Sequence, residues 1–426
     1  MKTIKAIIIG YGDRGSIYSS YSLFTPGEMK IVGIVDCNPY KLQQAKETFK
    51  LADNALFNSV EECLASDIDA DLYINATMDQ FHYDVLRKII KTGKAVLTEK
   101  PIVNNKEQLL ELENLANQYH TKVFVCHVLR YTPFYKKIKQ LIVDGEIGEI
   151  RSIEMAEHVG SAHYAGSYIR GRWKSEKECG SSLLLAKSCH DVDIMCWLNN
   201  GTEPIEVSSF GGRYFFLKEN APKGATEFCY NCPCEKDCYF SALKLYYECN
   251  FSAEQTYVKL NKENITDKDK LEFLKTDDFG RCVYQMPDSD MVDRQIVQVN
   301  FKNGSVGSFT LLGGAPEACR TISIIGTKGE IEGKLESGLV YLKKNKFLST
   351  TPELITFDIN NEIKVVGTIS GHNGGDYEIM KSVIDYLNGK TDMLTITKLS
   401  DSINGHLCVF AADESRLNKS IVKIER

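Results

Sequence analysis

The sequence predicts an α/β fold in two parts, a doubly wound parallel sheet followed by a larger α/β domain. Three observations carry that prediction. A short apolar run ends in Gly10-x-Gly12-x-x-Gly15. A second run, "MKIVGIVD", ends at Asp36, twenty-one residues after Gly15. Strand-like and helix-like segments then alternate to about residue 127.

The elements follow in order. The first apolar run reads as a strand, and its glycines let the chain turn tightly into a helix whose first amides can meet a pyrophosphate. Asp13 and Arg14 lie within that turn. Asp36 stands where a carboxylate accepts hydrogen bonds from the adenosine ribose of a dinucleotide. No arginine follows it to receive a 2′-phosphate, so NAD is expected over NADP. Asn38-Pro39 caps a helix running to about Phe49. A short helix at 59–65, the strand "ADLYINAT", an amphipathic helix closed by Gly93 and the strand "KAVLTEKP" come next. The helix "NKEQLLELENLANQYH" and the strand "KVFVCHV" complete the set. Ligands of such sheets bind at the carboxyl ends of strands, where Thr77, His82, Glu99 and Lys100 fall. Pro101 restricts Lys100 toward extended geometry.

A chain of 426 residues exceeds one compact core, so domains are expected at 1–127 and 128–426. Hydrophobic content of 43% and charged content of 25% are those of a soluble globular protein. The net charge of −6 argues against nucleic acid and membrane surfaces as partners. With no signal-peptide pattern and no long apolar stretch, a cytoplasmic location is expected. The 14 cysteines then read as thiols or metal ligands.

In the second part, "GSSLLLAKSCHDVDIMCWL" reads as one helix that gathers Lys187, His190, Asp191 and Asp193 within about two turns. A histidine there suits general-base removal of a hydroxyl proton. Upstream, "EHVGSAHYAGSYIRGRWKSE" crowds His163, Tyr164, Arg170 and Trp173 together, fitting a pocket for a polyhydroxylated or anionic ligand, or an oligomer interface. Residues 214–284 read as an insertion, loop-like and charged over 261–280. It carries "CYNCPCEKDC", whose Cys229 and Cys232 have a metal-chelating spacing. Segments of two-residue period with Asn-Gly and Lys-Gly turns then predict an antiparallel sheet. Near the end, Asp376 reads as a helix cap and His372 as a pocket residue.

Gly10-Tyr-Gly12-Asp-Arg-Gly15, Asp36, Thr77 to His82, Glu99-Lys100-Pro101, Arg130-Tyr131 and His190-x-x-Asp193 together resemble one family over nearly the whole chain. It is the glucose–fructose oxidoreductase / inositol dehydrogenase / rhizopine catabolism (Gfo/Idh/MocA) family. The Glu-Lys-Pro step is the specific element. The resemblance implies a Rossmann domain, then an α/β domain with a large open, mainly antiparallel sheet through which homo-oligomers, dimers or tetramers, pack. It implies NAD held by Gly10, Gly12, Asp13, Arg14, Gly15, Asp36, Thr77, His82, Glu99 and Lys100. Lys100 and His190 become the catalytic pair, acting on a secondary hydroxyl of a carbohydrate or cyclitol. His163, Tyr164, Arg170, Trp173, Lys187, Asp193 and His372 fall on the substrate side. A Cys-rich insertion in one branch of the family, paired with a segment like that around Cys282, implies a structural zinc on Cys229, Cys232, Cys238 and Cys282. Free thiols and an iron–sulfur cluster are the other readings. One departure stands out: Ala186 occupies a position where many members have aspartate. Two alternatives to net hydride transfer remain, a redox-neutral glycosidase or isomerase and a catalytically silent sensor.

Overall fold

The computed structural model describes residues 2–260, 262, 264–364, 366–369, 371–390 and 394–426. Six parallel strands form the first sheet: β1 (Ile4–Ile9), β2 (Met29–Val35), β3 (Leu56–Phe57), β4 (Leu72–Asn75), β5 (Ala95–Thr98) and β6 (Val123–Val125). Their spatial order is β3-β2-β1-β4-β5-β6, so the winding reverses beside β1 and a crevice opens between the ends of β1 and β4. The local signals act as expected. Asn38 Oδ1 accepts from the Tyr40 amide with Pro39 at the first helical position, and the helix ends at Phe49. Gly93 adopts φ +69 after the turn that extends the helix His82–Ile89.

The second sheet has nine strands: β7 (Ile150–Gly160), β8 (Pro204–Gly212), β9 (Arg294–Phe301), β10 (Val306–Ala315), β11 (Cys319–Gly326), β12 (Gly329–Lys334), β13 (Leu339–Lys344), β14 (Glu353–Asp358) and β15 (Val422–Lys423). Their order is β14-β13-β12-β11-β7-β10-β9-β8-β15. Within this sheet, among the described residues, only β7 and β10 pair in parallel. One face packs on the helix Cys189–Leu198 and its neighbours, which make the largest core. The other face is open and displays Phe210, Ile296, Val306, Leu312 and Ile325.

The chain does not stay within the halves that its order suggests. The helix Gly375–Leu387 buries Ile379, Met380, Val383 and Ile384 against Ile4, Ile8 and Leu97 of the first sheet. The helix Leu399–Asn418 places Leu399, Ile403 and Leu407 on its opposite face. The amide of Val125 donates to the Thr397 carbonyl, extending the sheet edge with late chain.

Two expected elements differ. The single helix expected over 180–198 is broken into Leu183–Ala186 and Cys189–Leu198. The break lets Ser188 Oγ reach Glu157 Oε2 at 2.8 Å and Lys187 Nζ reach Glu157 Oε1 at 3.2 Å. The charged stretch 261–280, of which residues 261 and 263 lie outside the described set, holds the helix Asp267–Thr276. Its start is a reciprocal box in which Thr266 and Asp269 each cap the other's amide.

Candidate active site

The glycine turn after β1 has the shape a dinucleotide needs. Gly10 stands at φ +87, and a Cβ there would lie 2.7 Å from the Ala76 carbonyl oxygen. A Cβ on Gly15 would lie 2.0 Å from the Gly10 oxygen, so the helix sits directly on the turn. Gly12 has open space where a side chain would project, a cradle that a phosphate can enter. Asp13 is the first residue of the helix Asp13–Phe24. At the end of β2, Asp36 accepts from the amides of Tyr11 at 2.7 Å and Asn38 at 2.8 Å. These bonds aim its carboxylate at the crevice.

Arg14 does more than line the turn. Its Nε donates to Glu99 Oε1 at 2.7 Å and its Nη2 to Asp376 Oδ1 at 2.6 Å. Tyr18 also donates to Glu99 Oε1, at 2.5 Å. One guanidinium therefore ties the glycine helix to the end of β5 and to the helix Gly375–Leu387. Burial works against ionisation of both acids, yet Arg14 holds Glu99 and Asp376 below the usual carboxylate range. Asp376 does not serve as the simple cap expected of it. Glu99 keeps its second oxygen for the Lys100 amide at 2.9 Å, so it orients that residue through the backbone.

Lys100 follows β5 at a cis Lys100–Pro101 bond. Its Nζ donates to the Ala186 carbonyl at 2.6 Å. Lys100 also acts electrostatically on His163 and His190. His163 lies within electrostatic reach of this amine and also of Lys187, Glu157 and Arg320. Glu157 and Arg320 are cross-strand partners on β7 and β11 and form an ion pair. Arg320 Nε also donates to Asp191 Oδ1 at 2.8 Å. Although burial opposes it, the charges of Arg320 and Lys187 bring Glu157 down to about 2. Burial and the neighbouring Glu157 push Asp191 up to about 8. His163 is open to solvent at the rim, but the crowding of the cleft and Lys187 lower it to about 3.

Four of the eight histidines line up beneath the cleft. Ring centroids lie 5.6 Å apart for His406 and His127, 5.8 Å for His127 and His190, and 6.3 Å for His190 and His372. His372 donates from Nδ1 to Asp376 at 3.1 Å. His190 Nδ1 and both nitrogens of His127 are buried without a hydrogen bond. Burial first, then Lys100, keeps His190 well below its ordinary value, so the ring is a neutral acceptor at physiological pH.

Some expected site residues stand elsewhere. Asp193 is fully buried and receives Arg130 in a two-pronged pair at 2.7 and 2.5 Å, so it braces the core and not a ligand. Tyr164 is also buried, its hydroxyl donating to the Val292 carbonyl. Arg170 points into the insertion, donating to the carbonyls of Arg281 at 2.7 Å and Phe240 at 2.6 Å. His82 faces the carbonyls of Thr77 and Pro101 at 2.9 and 2.6 Å and braces two strand ends. Thr77 bonds Asn75 Oδ1 at 2.8 Å, at the end of β4. Trp173 reaches across to Asp79 at 3.2 Å. Among the described residues, no three His, Cys, Asp or Glu side chains stand arranged to hold a metal.

The sequence reading missed Glu157, Arg320 and His127. Glu157 left a trace: it shares the inward row of β7 with Ile153, Met155 and Val159, an acid in an apolar register. Arg320 and His127 carry no comparable local signal.

Comparison with known proteins fixes what this crevice belongs to. The oxidoreductase-family model for an NAD-binding Rossmann fold, GFO_IDH_MocA, matches residues 4–127. Its companion for the C-terminal alpha/beta domain matches residues 139–424. The chain belongs to the Gfo/Idh/MocA oxidoreductase family. Within this family it is 26% identical over 357 residues to the Bacillus subtilis oxidoreductase YteT, covering 82% of this chain and 80% of that protein. It is 26% identical over 191 residues to the same organism's scyllo-inositol 2-dehydrogenase (NADP(+)) IolW, covering 45% of this chain and 50% of that one. A levoglucosan dehydrogenase solved with NADH and levoglucosan superposes with a TM-score of 0.69 at 17% identity, covering all of both chains. The Gfo/Idh/MocA Rossmann turn and the Glu99-Lys100-Pro101 step thus sit at the crevice that the first sheet builds. No helix among the described residues is long and apolar enough to cross a membrane.

Proposed function

We propose that the protein is an NAD-dependent dehydrogenase acting on a secondary hydroxyl of a sugar, glycoside or cyclitol. The observation that carries this reading is the Lys100 ammonium at the end of β5, pinned to the Ala186 carbonyl at 2.6 Å on the side of the crevice facing the second sheet. The empty space at Gly12 and the amide-held Asp36 suit a dinucleotide, and Asp36 faces its ribose hydroxyls, which favours NAD over NADP. When bound, NAD supplies the hydride acceptor or donor. Lys100 hydrogen-bonds the substrate oxygen and stabilises its developing negative charge, since its ammonium has donors beyond the one given to Ala186. His190, a neutral ring, accepts the hydroxyl proton. His163 and Lys187 from the second domain, with His372 beside His190, offer donors to further hydroxyls.

The open face of the nine-stranded sheet supports homo-oligomerisation, because Phe210, Ile296, Val306, Leu312 and Ile325 leave a broad apolar surface in water. A panel of monosaccharides, glycosides and inositols, read by nicotinamide absorbance, tests the function. Reduction of NAD by at least one polyol is expected. Aglycone release without net reduction reassigns the enzyme to redox-neutral elimination. Silence across the panel, with NAD bound, favours the sensor.

A further inference from the structure

The insertion between β8 and β9 has a small core of its own: Cys229, Ala242, Tyr246, Tyr257, Leu274 and Phe279. Six buried side chains are few to order some seventy residues, and small cores of this kind usually carry an added staple. Beside that core lies a cavity of about 20 Å³, room for one water-sized particle. Its wall includes Cys229, Cys232, Cys234, Cys238 and Cys282. Cys229, Cys232 and Arg170 are each within electrostatic reach of both Cys238 and Cys282. Cys234 also reaches Cys232 and Cys238, but its thiol donates to the Lys223 carbonyl at 3.5 Å.

Arg170 supplies an independent clue. It is almost wholly buried against this cavity, with Nη2 3.6 Å from Cys229 Sγ. Its Nη1 is buried without a hydrogen bond. Among the described residues no carboxylate pairs with it. A buried guanidinium without a counter-charge is costly. Four thiolates around a divalent cation carry a net charge of about −2 and would provide one.

We propose that Cys229, Cys232, Cys238 and Cys282 bind one structural zinc ion, with Arg170 as its buried counter-charge and Cys234 outside the set. Zinc replaces four thiol protons, which leave to solvent, and nothing is oxidised or reduced. As the described side chains stand they form no metal geometry, so the four sulfurs must draw together to the roughly 2.3 Å that zinc requires. The site then locks "CYNCPCEKDC" to the segment that leads back into the second sheet.

Full-length protein purified without added metal, then exposed to zinc and desalted, should retain about one zinc per chain by elemental analysis. X-ray absorption should show a shell of about four sulfurs near 2.3 Å. Cys234→Ser should keep the metal, whereas Cys232→Ser and Cys238→Ser should each lose most of it. NAD binding, which depends on the distant Rossmann turn, reports whether those variants remain folded. Wild-type protein that holds far less than one zinc per chain after exposure overturns the assignment. So does full zinc retention in Cys232→Ser and Cys238→Ser, or iron with labile sulfide in place of zinc.

Discussion

Lys100 Nζ donates to the backbone carbonyl of Ala186 at 2.6 Å, a contact between residues 86 apart that joins the Rossmann strand β5 to the second domain. A backbone carbonyl, and not a side chain, holds the amine. It can do so without adding a second negative group beside the Glu157–Asp191 pair.

Replacing this amine tests its role directly. Lys100→Met should reduce kcat by about 10²–10⁴-fold, the usual range for a positioned proton-transfer or charge-stabilising group. The affinity for NAD should change only a few-fold, since Glu99 and Arg14 still hold the turn. Steady-state rates with the identified polyol and NAD binding by fluorescence check it; an unchanged kcat removes Lys100 from the chemistry.

The glycine turn separates folding from binding. Gly10→Ala forces a side chain to φ +87 and against the Ala76 carbonyl, which should cost about 1–3 kcal/mol. Gly12→Ala meets only open space and should leave the unfolding midpoint near wild type while weakening NAD binding. Thermal denaturation and NAD titration of both variants distinguish the effects.

Asp36 should set the cofactor choice. Asp36→Ala removes the acceptor for ribose hydroxyls and the charge that repels a 2′-phosphate. The kcat/KM ratio for NAD over NADP should fall by at least tenfold. No change in that ratio would place the ribose elsewhere.

The Arg130–Asp193 pair is buried on both sides. Asp193→Ala leaves a guanidinium uncompensated and should cost about 3–5 kcal/mol. The substrate KM of the folded fraction should move little, because the carboxylate faces Arg130 and not the cleft. A large rise in KM with unaltered stability would return Asp193 to the substrate.

Acid should destabilise this protein from near neutrality. Burial, and after it the neighbouring His127, holds His406 down to about 3, and burial holds His127 and His190 well below the ordinary value. In the unfolded chain all three titrate near 6.5, so the stability they contribute is present above that pH and lost as pH falls below it. Each buried ring removes roughly 1.4 kcal/mol per pH unit in that window. Chemical denaturation at about pH 7.5 and about pH 5 should show the loss. His406→Gln should flatten it by one such increment.

Much of the first sheet was legible because its signals are local. The glycine spacing, the Asn38-Pro39 cap and Gly93 each act within a few residues, and the structure follows them. The helix at 267–276 was equally legible in principle, since Thr266 and Asp269 have the capping spacing, but the surrounding charge read as loop. The break at Lys187–Ser188 was not legible, because the partner it lets these residues reach, Glu157, lies thirty residues upstream on β7.

By itself the sequence determined the Rossmann turn, the alternation that builds a parallel sheet and the types of residue available for hydride chemistry. Those depend on backbone sterics and short-range hydrogen bonds. Only the tertiary structure decided which polar residues face the crevice. It sent Asp193, Tyr164 and Arg170 into buried pairings and brought Glu157, Arg320 and His127 to the site. The reason is that a buried charge must find an opposite charge or a donor in space, and the chain order does not state where that partner lies.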